Sequence, residues 1–570
     1  MPVVVQRLNG SKPSTPVLMP TLKNKRMIRP MSSVPTATLQ TFKDTITRGL
    51  TSRSIHKASK WAESYRVMAG QFPGPWSFRM YPWTREIHDC EAELTVSQKA
   101  AQMGLTEAVL NVVFFKMDIL HIDCLYALPT QTPDASDFSA SRFDPAIELS
   151  PHLTALFSDV KNVGHKRAGA VNLYIRGAKS PSGFKSIPVG HLVLDEIDEM
   201  PKDKIPLATE RLAGQLRKSI QAISTPTVPG GAINKMFLDS TQEHFFFNCP
   251  SCGRATELLF PDCLIITATD IHDPKINQSY LACKECKAEL PHKEKEEWLR
   301  DGFYVPKFPG RDSRGFYVNQ LYSFTKTPAE LAKSFLKSEK DPAAAQQFYN
   351  SMLGLPHISE NAKLELSDIN SCLDDYSQHD RHEPGLVTMG VDVGTVLHYE
   401  ICSWTMGKTL RAKVLRVGKL DHFEELDALM SKYRISSCCI DANPERRKAA
   451  EFAYRFRPHV KMVYYGNDVS GREISYSTEF PSVTVDRTSW LDLSLGRFRK
   501  KTIAVPKDLP QEYSKHLCAL IRVFKEDKDK NLVAKYINLE DDHYGHARNY
   551  CEIACAVAEK YTKSRNLGHV

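Results

Sequence analysis

The chain has 570 residues, of which 42% are hydrophobic and 25% charged, so it exceeds single-domain length and has the make-up of a soluble globular protein. Its 75 basic and 67 acidic residues leave a net charge of +8, which permits nucleic-acid binding without demonstrating it. There is no apolar run of about 18 residues and no apolar leader, so neither a membrane span nor a secretory signal is expected. The fourteen cysteines include several in apolar runs (Cys438, Cys439, Cys551, Cys555) and read as reduced thiols of a cytosolic protein.

Residues 1–50 are rich in Pro, Ser, Thr, Lys and Arg, with Asp44 the single acid, and are expected to form a basic flexible arm with a short helix near its end. The composition also fits a transit peptide, against which the weak amphipathic periodicity counts. Globular patterning begins at Trp61, where Trp61–Arg66 reads as helix. Gly70–Trp83, with three prolines and several aromatics, reads as an ordered loop that either packs or flanks a purine.

Leu94–Asn111 then runs as strand, small-residue loop and helix start, the context a phosphate-cradling loop requires. Lys99 stands at the front of the loop, and Leu105 fills the usual lysine place before Thr106. Gly104 lets backbone approach a phosphate, and Thr106 can ligate Mg²⁺ from the first helical turn. Taken alone, a capped helix start explains this stretch equally well. Further on, the apolar run Leu192–Leu194 ends in Asp195 and Glu196, a buried strand delivering two carboxylates at its C-terminal end. Open α/β sheets bind ligands there. One carboxylate can hold a Mg²⁺ shell while its neighbour polarises an attacking water. The plain alternative is a strand exit with solvated acids.

Cys249-Pro-Ser-Cys252-Gly and Cys283-Lys-Glu-Cys286 form two C-x2-C pairs separated by 30 residues. Four thiolates make a tetrahedral set suited to Zn²⁺ and leave no open position, so a structural zinc clip is expected over about 245–292. Strand and turn follow over 303–325, helix over Leu331–Asn350, and a polar linker over 357–384. Gly385–Gly394 reads as a strand with Asp392 inside it, where a carboxylate is costly unless it meets a cation. Ile435–Asp441 is another apolar strand ending in an acid, and Glu540–Ala547 opens a late helix with Asp542 and His546 on one face. Three acids on two strands and a helix can converge on two Mg²⁺ or Mn²⁺ ions, which activate water and stabilise a departing 3′-oxygen.

The loop Lys99-x-x-Gln102-x-Gly104-x-Thr106-Glu107 resembles the deviant phosphate loop of large terminase subunits of the lambda (GpA) type, in which the lysine is displaced to the front. Leu128–Ser139, Ser141–Pro145 and Ser150–Leu153 are similar to that family in the same order, and Asp195-Glu196 matches its Mg²⁺ and catalytic-base motif. Ile223–Thr227 resembles its coupling motif, with Ser224 and Thr225 relaying the γ-phosphate state. The resemblance implies an α/β chain: a P-loop ATPase-type parallel sheet over 51–356 that carries a zinc-ribbon-like module, then an RNase H-like nuclease over 385–570. It implies ATP bound by Lys99, Gln102, Gly104, Thr106, Glu107, Asp195 and Glu196, with Arg142 or Lys185 as the phosphate-facing cation, Lys185 being favoured by its place before the carboxylate strand. It carries over Asp392, Asp441 and Asp542 as nuclease metal ligands, with His546 where the family often has a further acid. The function implied is ATP-driven packaging of double-stranded DNA into a procapsid and metal-dependent cutting of concatemers in the host cell cytoplasm. The implied partners are a small terminase subunit, a portal and further copies of the chain. A host helicase-like or repair ATPase–nuclease, or a zinc-stapled DNA-binding or scaffold protein with degenerate motifs, are the alternatives.

Overall fold

The computed structural model describes residues 55–157, 160–180, 183–381, 385–405, 409–466, 469–526 and 531–567, and the basic arm expected over 1–50 lies outside them. Short apolar runs bounded by turns set the strands of a first sheet: β1 (Leu94–Lys99), β2 (Cys124–Leu128), β3 (Val171–Gly177), β4 (His191–Asp195), β5 (Ser219–Ser224), β6 (Glu243–Asn248) and β7 (Arg314–Val318). All seven are parallel, in the order β6-β7-β1-β5-β4-β2-β3. β2 and β4 are buried at every position, as strands covered on both faces must be. Antiparallel strands close both edges: His165–Ala168 and Val160–Asn162 beyond β3, with Phe303–Pro306 and Ala255–Glu257 against β6. Helix α1 (Leu105–Asp118) follows β1 directly. Because β5 lies between β1 and β4, the ends of these three strands are neighbours in space although far apart in sequence.

The helix expected at Trp61–Arg66 spans Ala58–Tyr65, and the aromatic loop after it buries Trp76, Phe78 and Trp83. The cysteine module is inserted between β6 and β7, with a small antiparallel sheet of Leu264–Ile265, Tyr280–Ala282 and Glu289–Leu290. Its Cys249, Cys263 and Cys283 share a core with Trp83, Phe245 and Tyr322.

A second, nine-stranded sheet contains β8 (Leu386–Val393), β9 (Leu397–Thr405), β10 (Arg411–Leu420), β11 (Ser437–Asp441) and β12 (Val460–Tyr465). β8, β9 and β10 are antiparallel neighbours, while β11 and β12 run parallel on the other side of β8. The late helix, α2 (His543–Leu567), crosses β8 at Gly390, where a Cβ would meet the Ala547 carbonyl oxygen at 2.0 Å and the Cys551 amide at 2.2 Å. Only glycine permits that approach. Within the stretch expected as a linker, Leu366–Asn370 is helical and Leu373–Asp374 pairs with Ile503–Pro506. Leu364, Ile369 and Cys372 supply apolar groups to the second core there, which a solvated linker would not.

Candidate active sites

Three consecutive strand ends build the first site. Lys99, buried at the end of β1, brings Nζ to 3.4 Å from Glu196 Oε1 and 3.4 Å from Thr225 Oγ1. Ser224 Oγ donates to Glu196 Oε2 at 3.1 Å. The lysine, the carboxylate pair and both coupling residues are therefore brought together. Glu196 holds a left-handed backbone (φ 54°), a strained conformation for a side-chain-bearing residue and one that clusters at functional sites.

Asp195 is buried and accepts a 2.5 Å hydrogen bond from the Tyr126 hydroxyl on β2. Its other oxygen, Oδ1, is buried with no hydrogen-bond partner. Burial, and then the neighbouring Glu196 charge, raise this carboxyl to about 7, with Lys99 opposing the shift. A carboxylate in that condition is an incomplete coordination site.

The loop ahead of α1 is anchored at its start, where Ala100 N–H donates to Val318 and Ala101 N–H to Ser351. The backbone N–H groups of Gln102, Met103 and Gly104 have no hydrogen-bond partner among the described residues. Gly104 (φ 75°) lies under the Tyr81 ring, and Trp83 Nε1 donates to the Met103 carbonyl. The aromatic loop thus packs against the phosphate loop, and also lines a cavity of about 580 Å³ that reaches Gly104, Glu107 and Arg142. Thr106 stands in the first turn of α1. Glu107 is held by buried Arg66 at 2.7 Å and by exposed Arg142 at 3.4 Å. Lys185 is exposed in a turn and makes no hydrogen bond or ion pair among the described residues. Sequence reasoning missed Tyr126, Arg66 and Asp198. The Asp198 carboxylate takes the N–H groups of Thr227 and Ile233, both at 2.8 Å, tying the coupling loop to the carboxylate turn.

The Sγ atoms of Cys249, Cys252, Cys283 and Cys286 all lie within 4.8 Å of one another. Two matching turns present them. Gly253 N–H donates to the Cys249 carbonyl and Lys287 N–H to that of Cys283, both Gly253 and Lys287 having positive φ. Four converging sulfurs fit a tetrahedral ion.

The third site sits at the C-terminal ends of β8 and β11. The last registered pair between these parallel strands is Val391 with Ile440, so Asp392 and Asp441 are next-door neighbours, about 5 Å apart across the sheet. Burial, opposed by the Asn443 amide, raises the Asp441 carboxyl above its usual range, and the Asp392 charge adds to this. Asp542 precedes α2 and is held by His546 at 3.4 Å; although burial opposes it, that contact and Arg487 keep its carboxyl low. His546 also meets Arg487 Nη2 and the Tyr465 hydroxyl, so it faces a cation. Among the described residues Asp392, Asp441 and Asp542 do not form a cluster with ligand atoms within 4.8 Å of one another, whereas Asp392 does so with His398 and His543. His543 Nδ1 lies 2.9 Å from Asp392 Oδ2, a contact that raises its pKa. His398 is buried, and that burial lowers it to about 4, so the ring is neutral. Beneath the site Arg548 of α2 joins Glu400 of β9 and Glu552, all buried, fixing helix to sheet.

Two α/β sheets on one chain, each gathering acids at its strand ends, have the architecture of a nucleotide hydrolase joined to a nuclease, and the family comparisons give that class. The phage terminase large subunit gpA ATPase domain matches residues 70–304, and the gpA endonuclease domain matches 313–544. The chain belongs to the lambda-type terminase large subunit family, and its activities are those of an ATP-driven DNA-packaging motor and an endonuclease. The large terminase of a thermophilic bacteriophage matches at 12% identity, over 84% of this chain and 98% of that one, with a TM-score of 0.31. The ATPase domain of Thermus phage P74-26 matches at 13% over 49% and 96% (TM-score 0.29), and the nuclease of thermophilic phage G20c at 13% over 32% and 95% (TM-score 0.22). The comparison with curated proteins gave no match. β7 lies inside the span matched by the endonuclease model, yet it pairs with β6 and β1 of the first sheet.

Proposed function

We propose that Lys99 and the open amides of Gln102–Gly104 receive the phosphates of ATP, with Thr106 and Asp195 holding its Mg²⁺ and Glu196 orienting the attacking water. The observation that carries this is the meeting of Lys99 Nζ with Glu196 and Thr225 beside the unpartnered Oδ1 of Asp195. The ion, when bound, neutralises charge developing on the phosphates. Asp195 and Tyr126 fix its place, and Ser224 and Thr225 read the position of Glu196. Of the two outer cations, Arg142 is favoured over Lys185 because it contacts Glu107 at the mouth of the phosphate loop.

The four cysteines hold a structural Zn²⁺ that stiffens the insertion between β6 and β7. Asp392 and Asp441 are the core of the nuclease metal centre, and Asp542 with His546 borders it. Domain limits of 51–356 and 385–570 fit this reading, with the ordered part of 357–384 assigned to the second domain. The motor takes double-stranded concatemeric DNA through phosphate contacts, since it must pass any sequence. It works as a homo-oligomer with a small terminase subunit and a portal on the procapsid, in the host cytoplasm.

Glu196→Gln is expected to abolish ATP hydrolysis and packaging while sparing plasmid cleavage, and Asp392→Ala to do the reverse. Undiminished ATP turnover in the first variant would remove Glu196 from its role.

A further inference from the structure

Across the antiparallel hairpin of β8 and β9, Asp392 is paired directly with His398. The first residue of α2, His543, reaches the same point because the helix lies against Gly390. Ligand atoms of these three side chains lie within 4.8 Å of one another. The decisive member is His398. It is 3% exposed, and neither ring nitrogen has a hydrogen-bond partner. A buried imidazole with two unsatisfied nitrogens carries a desolvation cost that nothing in the hairpin offsets. The neighbouring rings do not relieve it. His543 stacks on His398 at 4.6 Å, and His516, at 5.7 Å, is engaged by the Tyr544 amide and Glu512.

We propose that Asp392, His398 and His543 form a site for one divalent transition-metal ion of the Mn²⁺ class, sharing Asp392 with the nuclease centre. An imidazole-rich set of this kind selects Mn²⁺ and later ions over Mg²⁺, which keeps to oxygen ligands and water. Two nitrogens and one carboxylate leave coordination positions open for water or a phosphodiester oxygen. His543 is the most exposed of the three, with 37% of its side chain accessible, so its ring has room to turn out of the stack, as sharing an ion with His398 requires. The site rests on the nuclease reading for what the ion does, and on these three residues alone for whether it binds.

Full-length protein is titrated with Mn²⁺ alone, followed by electron paramagnetic resonance and by the ion-induced rise in melting temperature. One ion coupled to imidazole nitrogen is expected, with Mg²⁺ a poor competitor. His398→Leu removes both unsatisfied nitrogens and is expected to melt no lower than wild type without the ion. It should nevertheless lose at least about tenfold in Mn²⁺ affinity and most of the ion-induced stabilisation. His543→Ala, at a partly exposed position, should lose affinity in the same way. Unchanged Mn²⁺ affinity in both variants, or no nitrogen coupling in the wild type, would overturn the site and leave the ion to the aspartates. Unimpaired cleavage by Asp392→Ala would instead defeat the nuclease reading, whatever the titrations gave.

Discussion

At the scale of single residues, Asp195 carries the clearest electrostatic consequence. Its carboxyl is raised from 3.8 to about 7, because burial and the Glu196 charge disfavour ionisation more than Lys99 favours it. An acid raised on folding binds protons more tightly in the native state. Its stabilisation is complete below the ordinary carboxyl range and is lost as the pH rises towards 7. Metal-free protein is therefore expected to lose stability between about pH 4 and pH 7 through this group, on the order of a few kcal/mol. Asp195→Asn keeps the shape without the charge, so it should melt higher than wild type at pH 8 and converge with it towards pH 4. It should also lack ATPase activity. Thermal melts of the nucleotide-free variant across that range test this, and an equal pH slope in both proteins would assign the effect to another group.

At the scale of elements, the strand ends do the assembling, and one contact sets each site. Gly390 is where α2 meets β8, and a methyl group there would strike helix backbone that has no side chain to turn aside. Gly390→Ala should cost the nuclease sheet about 3 kcal/mol or more, lowering its melting transition and its DNA cleavage while ATP turnover persists. In the cysteine module, treatment with a chelator that would strip the proposed zinc, or introducing Cys252→Ser, should release hydrogen-exchange protection across Cys249–Leu290. Unchanged protection would mean that the surrounding Trp83–Phe245–Tyr322 core suffices. Much of this was legible in the chain. Apolar runs ending in acids located β4 and β11, an alternating strand with an acid inside it located β8, and the paired C-x2-C turns located the cysteine cluster. Strand order was not legible, since placing β5 between β1 and β4 depends on pairing between distant segments. Tyr126 could not be found as the Asp195 partner for that reason. His398 was readable only through hairpin register, because Asp392-Val-Gly-Thr-Val-Leu-His398 carries no metal-ligand spacing of its own.

At the scale of the whole molecule, the two engines meet at a hairpin. Leu520–Glu526 and Leu532–Asn538 pair with each other and carry Ile521 and Val523 into an apolar cluster with Val228. Gln346 clamps the Phe524 backbone from both sides, accepting its N–H at 2.8 Å and donating to its carbonyl at 2.7 Å. Lys525 pairs with Glu199 at 3.0 Å, and Lys202 donates to the Leu539 carbonyl. Every anchor named on the ATPase side except Gln346 lies close in sequence to the proposed ATP site: Glu199 is three residues beyond Glu196, and Val228 follows the Thr227 amide that Asp198 holds. Displacing the hairpin is therefore expected to disturb the turn that holds Glu196, the residue proposed to orient the water. Val523→Asp buries a charge with no partner in that cluster, which the contact cannot retain. The two sheets of this variant are expected to melt in separate calorimetric transitions. ATP turnover should fall while metal-dependent cleavage continues, because Asp392 and Asp441 lie on strands of the nine-stranded sheet, to which the hairpin does not belong. A single transition with unaltered ATP turnover would mean the hairpin rests on the motor without informing it.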